Sequence, residues 1–150
     1  MNIQCDCKKG YKSAWDGKCG NCRTKEETRR HNYAMNCISS YDIQILNKYK
    51  DDITGAHYIG RGSPLGNPHA IGQGFKRGEA IYAYDNYIHD VIERVKTAKI
   101  IDELNKLVNE LFDKQELKLW CFCAPKPCHG DVIKDLLLKQ LYKHFAGEYK

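Results

Sequence analysis

Eight cysteines are distributed unevenly along this chain, and their positions limit how its first residues can fold. Four of them form two close pairs, Cys5 with Cys7 and Cys19 with Cys22. Residues 1–23 are otherwise rich in lysine and glycine and poor in aliphatic side chains, so they cannot bury a core of their own. Four thiolates in two pairs suit tetrahedral zinc, and metal binding would supply the missing folding free energy. We therefore predict a structural zinc site in a zinc-knuckle or ribbon-like module over residues 1–23, the alternative being a disordered tail.

The composition limits the class of protein and its compartment. A content of 42% hydrophobic and 29% charged residues is ordinary for a globular chain with one principal domain. No apolar run reaches membrane-spanning length and the first residues lack a signal-peptide core, so we expect a cytoplasmic protein without a membrane partner. In that reducing compartment, clustered cysteines favour metal sites over disulfides. The net charge of +5 is compatible with a nucleotide or nucleic-acid partner but is weaker than that of dedicated DNA-binding proteins.

The pattern of residues 24–150 predicts an α/β domain. Thr24 and Glu27 have the spacing of a helix-capping box, and "HYIG" at 57–60 resembles a short strand. Apolar residues at helical spacing follow, at Ile81, Tyr84, Ile88, Val91, Ile92 and Val95. The series from Ile101 to Phe112 predicts another helix, "ELKLWCF" alternates like a buried strand, and "VIKDLLLKQL" predicts a C-terminal helix.

This order of elements predicts a small, parallel, Rossmann-like sheet flanked by helices. Ligands bind such sheets beyond the carboxyl ends of the strands. Two unusual loops, at residues 61–78 and 124–130, each follow a predicted strand. We therefore expect them to meet at one edge of the sheet and to line one cleft.

The glycine- and proline-rich loop at 61–78 has the composition of an anion-binding loop. Its candidate ligand-binding residues are Arg61, Ser63, Gly66, Asn67 and, where the next helix begins, Arg77. Glycines let backbone amides approach a ligand, and the planar fork of Arg61 suits phosphate or carboxylate. A purely structural loop is an equally good interpretation. Glu79 is a candidate general base, although it would also favour the positive end of the helix dipole.

The closing stretch "CFCAPKPCHGD" allows three interpretations of its cysteines. A second metal site would use Cys121, Cys123 and Cys128, or His129 in place of Cys128. A reactive site would place a Cys128 nucleophile at the helix N-terminus, with His129 and Asp131 handling protons. The third interpretation treats the cysteines as core side chains and Asp131 as a helix cap. In each case the amides of residues 128–130, Gly130 included, could face an anion at the helix start.

Three segments, "YIGRGSPLGNP", "RGEAIYAY" and "LWCFCAPKPCHGDVI", together resemble a family of small uncharacterised domains of bacteriophages and bacteria, a domain of unknown function. The resemblance covers about residues 56–138 and makes a phage origin plausible. It implies a shared functional set: Arg61, Ser63, Pro64, Gly66, Asn67, Pro68, Arg77, Glu79, Cys121, Cys123, Cys128, His129, Gly130 and Asp131. The N-terminal cysteine module lies outside the resemblance.

Three functions are compatible with these patterns. The first is binding or processing of a nucleotide or nucleoside derivative, with hydrolysis of a glycosidic or phosphate-ester bond. The second is a non-catalytic protein that sequesters a signalling nucleotide or inhibits a host defence protein. The third is a zinc-dependent accessory protein that binds nucleic acid through residues 1–23.

Overall fold

The computed structural model describes residues 3–13, 15–69, 76–123 and 126–149. Residues 70–75 of the predicted anion-binding loop and residues 124–125 of the closing turn therefore lie outside the described residues. Contacts divide the chain into two compact units, residues 1–40 with 138–150 and residues 41–137. The domain boundary predicted after residue 23 stays a prediction.

The first unit combines a small hairpin with a helix. Strands β1 (Ile3–Gln4) and β2 (Tyr11–Lys12) pair in antiparallel fashion, and helix α1 spans Lys25–Ile38. The predicted capping box is confirmed: the amide of Glu27 donates to the hydroxyl of Thr24, and the Glu27 carboxylate accepts from the Thr24 amide. Each bond satisfies a backbone donor that the first helical turn leaves without an intrahelical partner.

The second unit contains the predicted parallel sheet. Its strands are β3 (Asp42–Asn47), β4 (His57–Tyr58) and β5 (Glu116–Cys121), arranged in the order β3-β5-β4. β5 pairs in parallel with both neighbours, with Asn47 opposite Cys121 and Tyr58 opposite Trp120. The α/β fold class with a small parallel sheet is confirmed. The letters "DIQILN" are compatible with either a strand or a helix, and in the structure this segment forms β3.

The helices of this fold are α2 (Arg77–Asp90), α3 (Ala98–Lys114) and α4 (His129–Glu148). A π-helical turn, Val91–Val95, ends α2, and its last bond runs from the Lys96 amide to the Val91 carbonyl. The predicted apolar stripe is wrong at Val95, whose surface is 62% exposed. A bond that spans five residues instead of four rotates the chain off the helical stripe.

Buried side chains of the second unit surround the central strand. Leu117, Leu119 and Cys121 alternate with half-buried residues along β5, as its sequence pattern predicts. The helices contribute buried residues at Tyr84, Ile88, Leu104, Leu107, Leu111, Ile133 and Leu137. Within the described ranges, no helix has the length and apolar character needed to cross a membrane.

Candidate functional site

The four N-terminal cysteines converge on one point. Their sulfur atoms all lie within 4.8 Å of one another, with Cys5 Sγ 3.4 Å from Cys22 Sγ and Cys7 Sγ 3.5 Å from Cys19 Sγ. Four sulfurs at about 2.3 Å from a tetrahedral ion would be about 3.8 Å apart, which is close to these distances. The arrangement could hold a metal ion, as the spacing predicts.

Two tight turns present these sulfurs. The amide of Lys8 donates to the Cys5 carbonyl, and the amide of Cys22 donates to the Cys19 carbonyl. Gly10 lies between the pairs, and a Cβ at this position would be 3.4 Å from the Cys19 Cβ. The short reach of each turn explains why two residue pairs, spaced by one and by two residues, can meet around one ion.

The thiols of Cys5 and Cys22 differ in acidity. A hydrogen bond from the Cys7 amide, together with bonds to neighbouring thiols, lowers the pKa of Cys5 to about 7. Hydrogen bonding to Cys5 and the other thiols raises the pKa of Cys22 to about 12. A divalent cation would stabilise several thiolates of this cluster at once.

Polar contacts brace the segment between the cysteine pairs. Arg23 donates to both carboxylate oxygens of Asp16, from Nε at 2.9 Å and from Nη2 at 3.1 Å. Partial burial opposes ionisation of Asp16, but the bonds from Arg23 lower its pKa overall. His31 Nδ1 lies 2.8 Å from the Tyr142 hydroxyl, and Trp15 packs against the Tyr142 ring. These contacts connect the cysteine segment to α1 and to the chain's last residues.

A separate cavity lies in the second unit, at the carboxyl ends of β4 and β5. Its volume is about 210 Å³. The lining residues come from both loops and from the starts of α2 and α4: Gly60, Arg61, Asn67, Ala80, Ile81, Cys121, Phe122, Cys123, Cys128 and His129. The structure thus brings the two loops together at the predicted edge of the sheet.

Arg61 lies exposed at this cavity, while the loop around it is held by internal bonds. The Tyr58 hydroxyl donates to the Arg61 carbonyl at 2.7 Å, and the Ser63 hydroxyl donates to the Gly60 carbonyl at 2.6 Å. The amide of Gly66 donates to the Ser63 carbonyl. Ser63 and Gly66 are not among the lining residues, and their bonds shape the turn that carries Arg61.

Asn67 and Arg77 connect backbone segments. Asn67 Nδ2 donates to the carbonyl of Ala80 in the first turn of α2, at 3.1 Å. Arg77 Nη1 donates to the Pro127 carbonyl in the closing turn, at 2.9 Å. Both side chains were predicted to bind a ligand, and both have a clear structural task. Asn67 also lines the cavity, whereas Arg77 does not.

The start of α4 is capped from within the chain. The Cys128 amide donates to Asp131 Oδ2 at 3.1 Å, and the Gly130 amide donates to Cys128 Sγ at 3.3 Å. This arrangement resembles a capping box, except that a thiol replaces the usual hydroxyl and accepts from the second helical residue instead of the third. Two of the amides that the sequence assigned to an anion are therefore engaged inside the chain.

His129 is the cavity residue best placed to handle a proton. Its Nε2 lies 2.6 Å from the Ile59 carbonyl, and its ring contacts Tyr84 edge to face. Because a carbonyl only accepts, Nε2 carries a hydrogen, and Nδ1 is the ring nitrogen not used by this bond. Tyr84 is fully buried, and its hydroxyl donates to the Leu65 carbonyl.

The closing cysteines form a pair. Cys121 Sγ and Cys128 Sγ are 3.6 Å apart and both side chains are buried, while the Cys123 amide donates to Cys121 Sγ. Hydrogen bonding to Cys121 and burial raise the pKa of Cys128, which disfavours the thiolate that a nucleophile requires. In the part of the chain that the structure describes, only the N-terminal cysteines bring three or more metal-ligating atoms together. The predicted second metal site thus has two neighbouring sulfurs and stays a prediction.

Glu79 and Asp131 do not line the cavity, and both are exposed. Glu79 lies in the first turn of α2, where a carboxylate favours the helix dipole. Asp131 is occupied as the cap of α4. Of the four candidate catalytic residues, only Cys128 and His129 reach the cavity.

Two residues near this site were missed by sequence reasoning. Asn47 is 5% exposed at the end of β3, and its Nδ2 donates to the Phe122 carbonyl at 3.3 Å. Phe122 lines the cavity although 47% of its surface is exposed. Asn47 could have been noticed as a polar residue at the carboxyl end of a strand, but its partner lies 75 positions away.

Comparisons with known proteins locate the chain in a family. A family model described as a domain of unknown function, DUF4326, matches residues 43–139, which include the cavity but not the N-terminal cysteines. An uncharacterised 12.4 kDa protein from the nrdA-td intergenic region of Enterobacteria phage T4 is 33% identical over 105 residues, covering 70% of this chain and 86% of that protein. No solved structure matches. The predicted family resemblance is confirmed, and the chain belongs to the DUF4326 family.

Proposed function

We propose that the second unit binds a nucleotide or nucleoside derivative at the carboxyl ends of β4 and β5. The observation that supports this most directly is Arg61, an exposed guanidinium beside a cavity on a glycine-containing turn. Among the described residues it has no carboxylate partner within ion-pair distance. A planar fork of donors without an internal acid suits an incoming phosphate.

The cavity suits part of a nucleotide. Its volume of about 210 Å³ is below the roughly 300–1,000 Å³ of pockets that enclose drug-sized ligands. A phosphate and its sugar would fit within such a space, whereas the base would extend beyond it. This division assigns Arg61 to the phosphate, the cavity to the sugar and the cavity rim to the base.

Binding has more support than catalysis. His129 is the lining residue with a nitrogen available for proton transfer, while the raised pKa of Cys128 disfavours nucleophilic attack. Hydrolysis of a glycosidic or phosphate-ester bond would therefore depend on His129. Without turnover, the same site would sequester its ligand, as in the second function predicted from the sequence.

Equilibrium dialysis with a panel of mononucleotides tests this proposal. Arg61→Ala should weaken binding about 10- to 100-fold, because hydrogen bonds between charged groups contribute about 1.5–3 kcal/mol each. Arg94→Ala is the matched control, since Arg94 is an exposed arginine at the end of α2. Equal affinities for both variants, or no binding by the native chain, would contradict the proposal.

Chromatography of the dialysed ligand then separates the two versions of this function. An enzyme converts the nucleotide, and His129→Ala should abolish that conversion while Arg94→Ala preserves it. A sequestering protein returns the ligand unchanged after heat denaturation.

We also propose that the N-terminal site binds zinc in a structural role. The four sulfurs would complete a tetrahedral coordination sphere, which leaves no position for substrate. Among the common ions, zinc favours such a thiolate set without redox chemistry. When bound, the ion would hold the two cysteine turns together.

Nucleic-acid binding by the first unit is a second candidate function, and the charge distribution favours it. Residues 1–40 and 138–150 contain 11 Lys and Arg against 5 Asp and Glu. Of the chain's 24 basic and 19 acidic residues, this leaves 13 against 14 in residues 41–137. The net positive charge therefore belongs to the unit with the metal site, even if four thiolates and a divalent ion reduce it by 2.

Fluorescence anisotropy with a labelled oligonucleotide tests this second function. The double variant Lys8→Glu and Lys9→Glu should weaken binding and flatten its salt dependence, because fewer counterions are released. Lys76→Glu and Lys96→Glu, both in the second unit, are the matched control. Binding that does not change between low and high salt would exclude the function.

A further inference from the structure

Four aromatic rings form a continuous surface on the second unit. Tyr58 and Trp120 lie opposite each other on β4 and β5, with ring centroids 4.3 Å apart. Phe122 contacts both rings edge to face, at 6.1 Å and 5.6 Å, and Tyr49 lies 5.6 Å from Phe122. Tyr49 and Phe122 are 80% and 47% exposed. We call these four residues the aromatic surface.

A buried side chain positions the outer part of this surface. The Tyr49 amide donates to Asn47 Oδ1 at 2.9 Å, while Asn47 Nδ2 donates to the Phe122 carbonyl at 3.3 Å. The Asn47 amide itself donates to Asp51 Oδ2, which closes the turn that carries Tyr49. One buried amide group therefore bridges the backbone of the Tyr49 and Phe122 segments, which fixes the positions from which these two exposed rings project.

The aromatic surface is continuous with the cavity. Phe122 belongs to both, and the Tyr58 hydroxyl donates to the backbone carbonyl of Arg61. Lys48 Nζ lies 5.9 Å from the centre of the Trp120 ring, which adds a positive charge at the edge of the surface. An anion held by Arg61 would therefore share its cavity with the exposed Phe122 ring, from which the aromatic surface continues to Tyr49.

We propose that the aromatic surface stacks the nucleobase of the ligand whose phosphate lies at Arg61. This inference rests on the proposed function of the cavity and adds the part of the ligand that the cavity is too small to enclose. A nucleobase is a flat, uncharged ring system, and each of the common bases can stack on an aromatic side chain. The surface therefore accepts any of the common bases, and the ligand class is a base-bearing phosphate ester and not a sugar phosphate.

Dissociation constants for four mononucleotides and for ribose 5-phosphate, measured by equilibrium dialysis on the full chain, test this inference. Tyr49→Ala should weaken binding of each mononucleotide about 5- to 100-fold, the loss of roughly 1–3 kcal/mol of stacking. It should leave ribose 5-phosphate binding unchanged, and Tyr49→Phe should retain native affinity because the ring remains. Tyr82→Ala is the matched control, since Tyr82 is a 64% exposed tyrosine on α2.

The outcomes separate this inference from the proposed function. If Tyr49→Ala binds mononucleotides as tightly as Tyr82→Ala does, stacking is overturned while the phosphate site at Arg61 stands. If the native chain binds ribose 5-phosphate as tightly as mononucleotides, stacking is likewise overturned while the phosphate site stands. If the native chain binds neither ligand, both proposals are overturned.

Discussion

Backbone geometry explains why glycine occupies positions 62 and 66 of the turn that carries Arg61. A Cβ on Gly66 would lie 2.6 Å from the Gly60 carbonyl oxygen and 3.2 Å from the Arg61 Cα. Gly62 has a φ of +92°, which side-chain-bearing residues rarely adopt. The sequence suggested that these glycines admit a ligand, whereas the structure gives them a task in folding the loop that presents Arg61.

Replacing Gly66 tests this explanation. Gly66→Ala should destabilise the chain by about 1–3 kcal/mol, because backbone atoms must move to admit the methyl group. Gly78→Ala is the control: among the described residues, no atom beyond its own helical turn would lie within 4 Å of its Cβ, and alanine in a helix is favoured by up to about 1 kcal/mol. Urea unfolding measures both. Equal stabilities of the two variants would show that the loop relaxes easily.

Strand β4 is only two residues long, so its position depends on contacts beyond its backbone ladder. His57 Nε2 lies 2.6 Å from Glu110 Oε2 of α3, and Lys114 Nζ donates to Glu110 Oε1 at 3.1 Å. Partial burial opposes ionisation of Glu110, but its hydrogen bonds with His57 and Lys114 lower its pKa overall. A short strand leading into the cavity loop is thereby tied to a helix through a charged group.

This tie predicts a pH-dependent contribution to stability. A carboxyl whose folded pKa lies below its unfolded value stabilises the fold above the unfolded pKa, near 4.5, and loses that effect as pH falls through the folded pKa. Glu110→Gln should therefore cost about 1 kcal/mol at pH 7 and progressively less as the pH falls below 4.5 through the folded pKa.

Urea unfolding at a series of pH values measures that difference. Glu103→Gln on the same helix is the control and should show no comparable dependence on pH. A cost for Glu110→Gln that stays constant down to pH 3 would mean that the glutamate acts through packing alone.

Across the molecule, folding is supported by two different sources of free energy. Residues 41–137 bury aliphatic side chains around a parallel sheet, while residues 3–23 depend on a hairpin, two cysteine turns and the Asp16–Arg23 pair. Among the described residues of 3–23, the buried side chains are Cys5 and Cys19. A metal ion held by the four cysteines would therefore be the main stabiliser of that segment.

Removing a metal bound by the four cysteines should make residues 3–23 selectively sensitive to proteolysis. After chelation, trypsin should cut at Lys8, Lys12, Lys18 and Arg23, while residues 41–137 stay resistant. Mass spectrometry of the digest identifies the sites. Native and chelated chains that digest identically would contradict a structural metal.

Metal analysis of two variants separates a one-metal from a two-metal chain. We expect one ion per chain, lost in Cys19→Ser and retained in Cys121→Ser, because only two sulfurs meet at the closing turn. Two ions per native chain, one of them lost in Cys121→Ser, would instead establish the second site.

Sequence patterns were most informative where the cause is local. The capping box of α1 joins residues three apart, and the alternation along β5 follows from the pleat of a strand, so both could be recognised from neighbouring letters. The same holds for the cysteine spacing, because each pair closes its own turn. The prediction that Val95 is buried was wrong because a π-helical bond changed the helical period there, and no sequence pattern indicates that change.

The amino-acid sequence alone could not show which polar side chains remain available to bind a ligand. Arg77 donates a hydrogen bond to the Pro127 carbonyl, 50 positions away, and His129 donates one to the Ile59 carbonyl, 70 positions away. Such distant partners decide which predicted site residues line the cavity and which support the backbone. The chain's own letters determined the α/β class, the cysteine site and the family. Its folding in space determined that Arg61, His129 and Phe122 share one cavity, because the ends of parallel strands bring together segments that no short-range pattern connects.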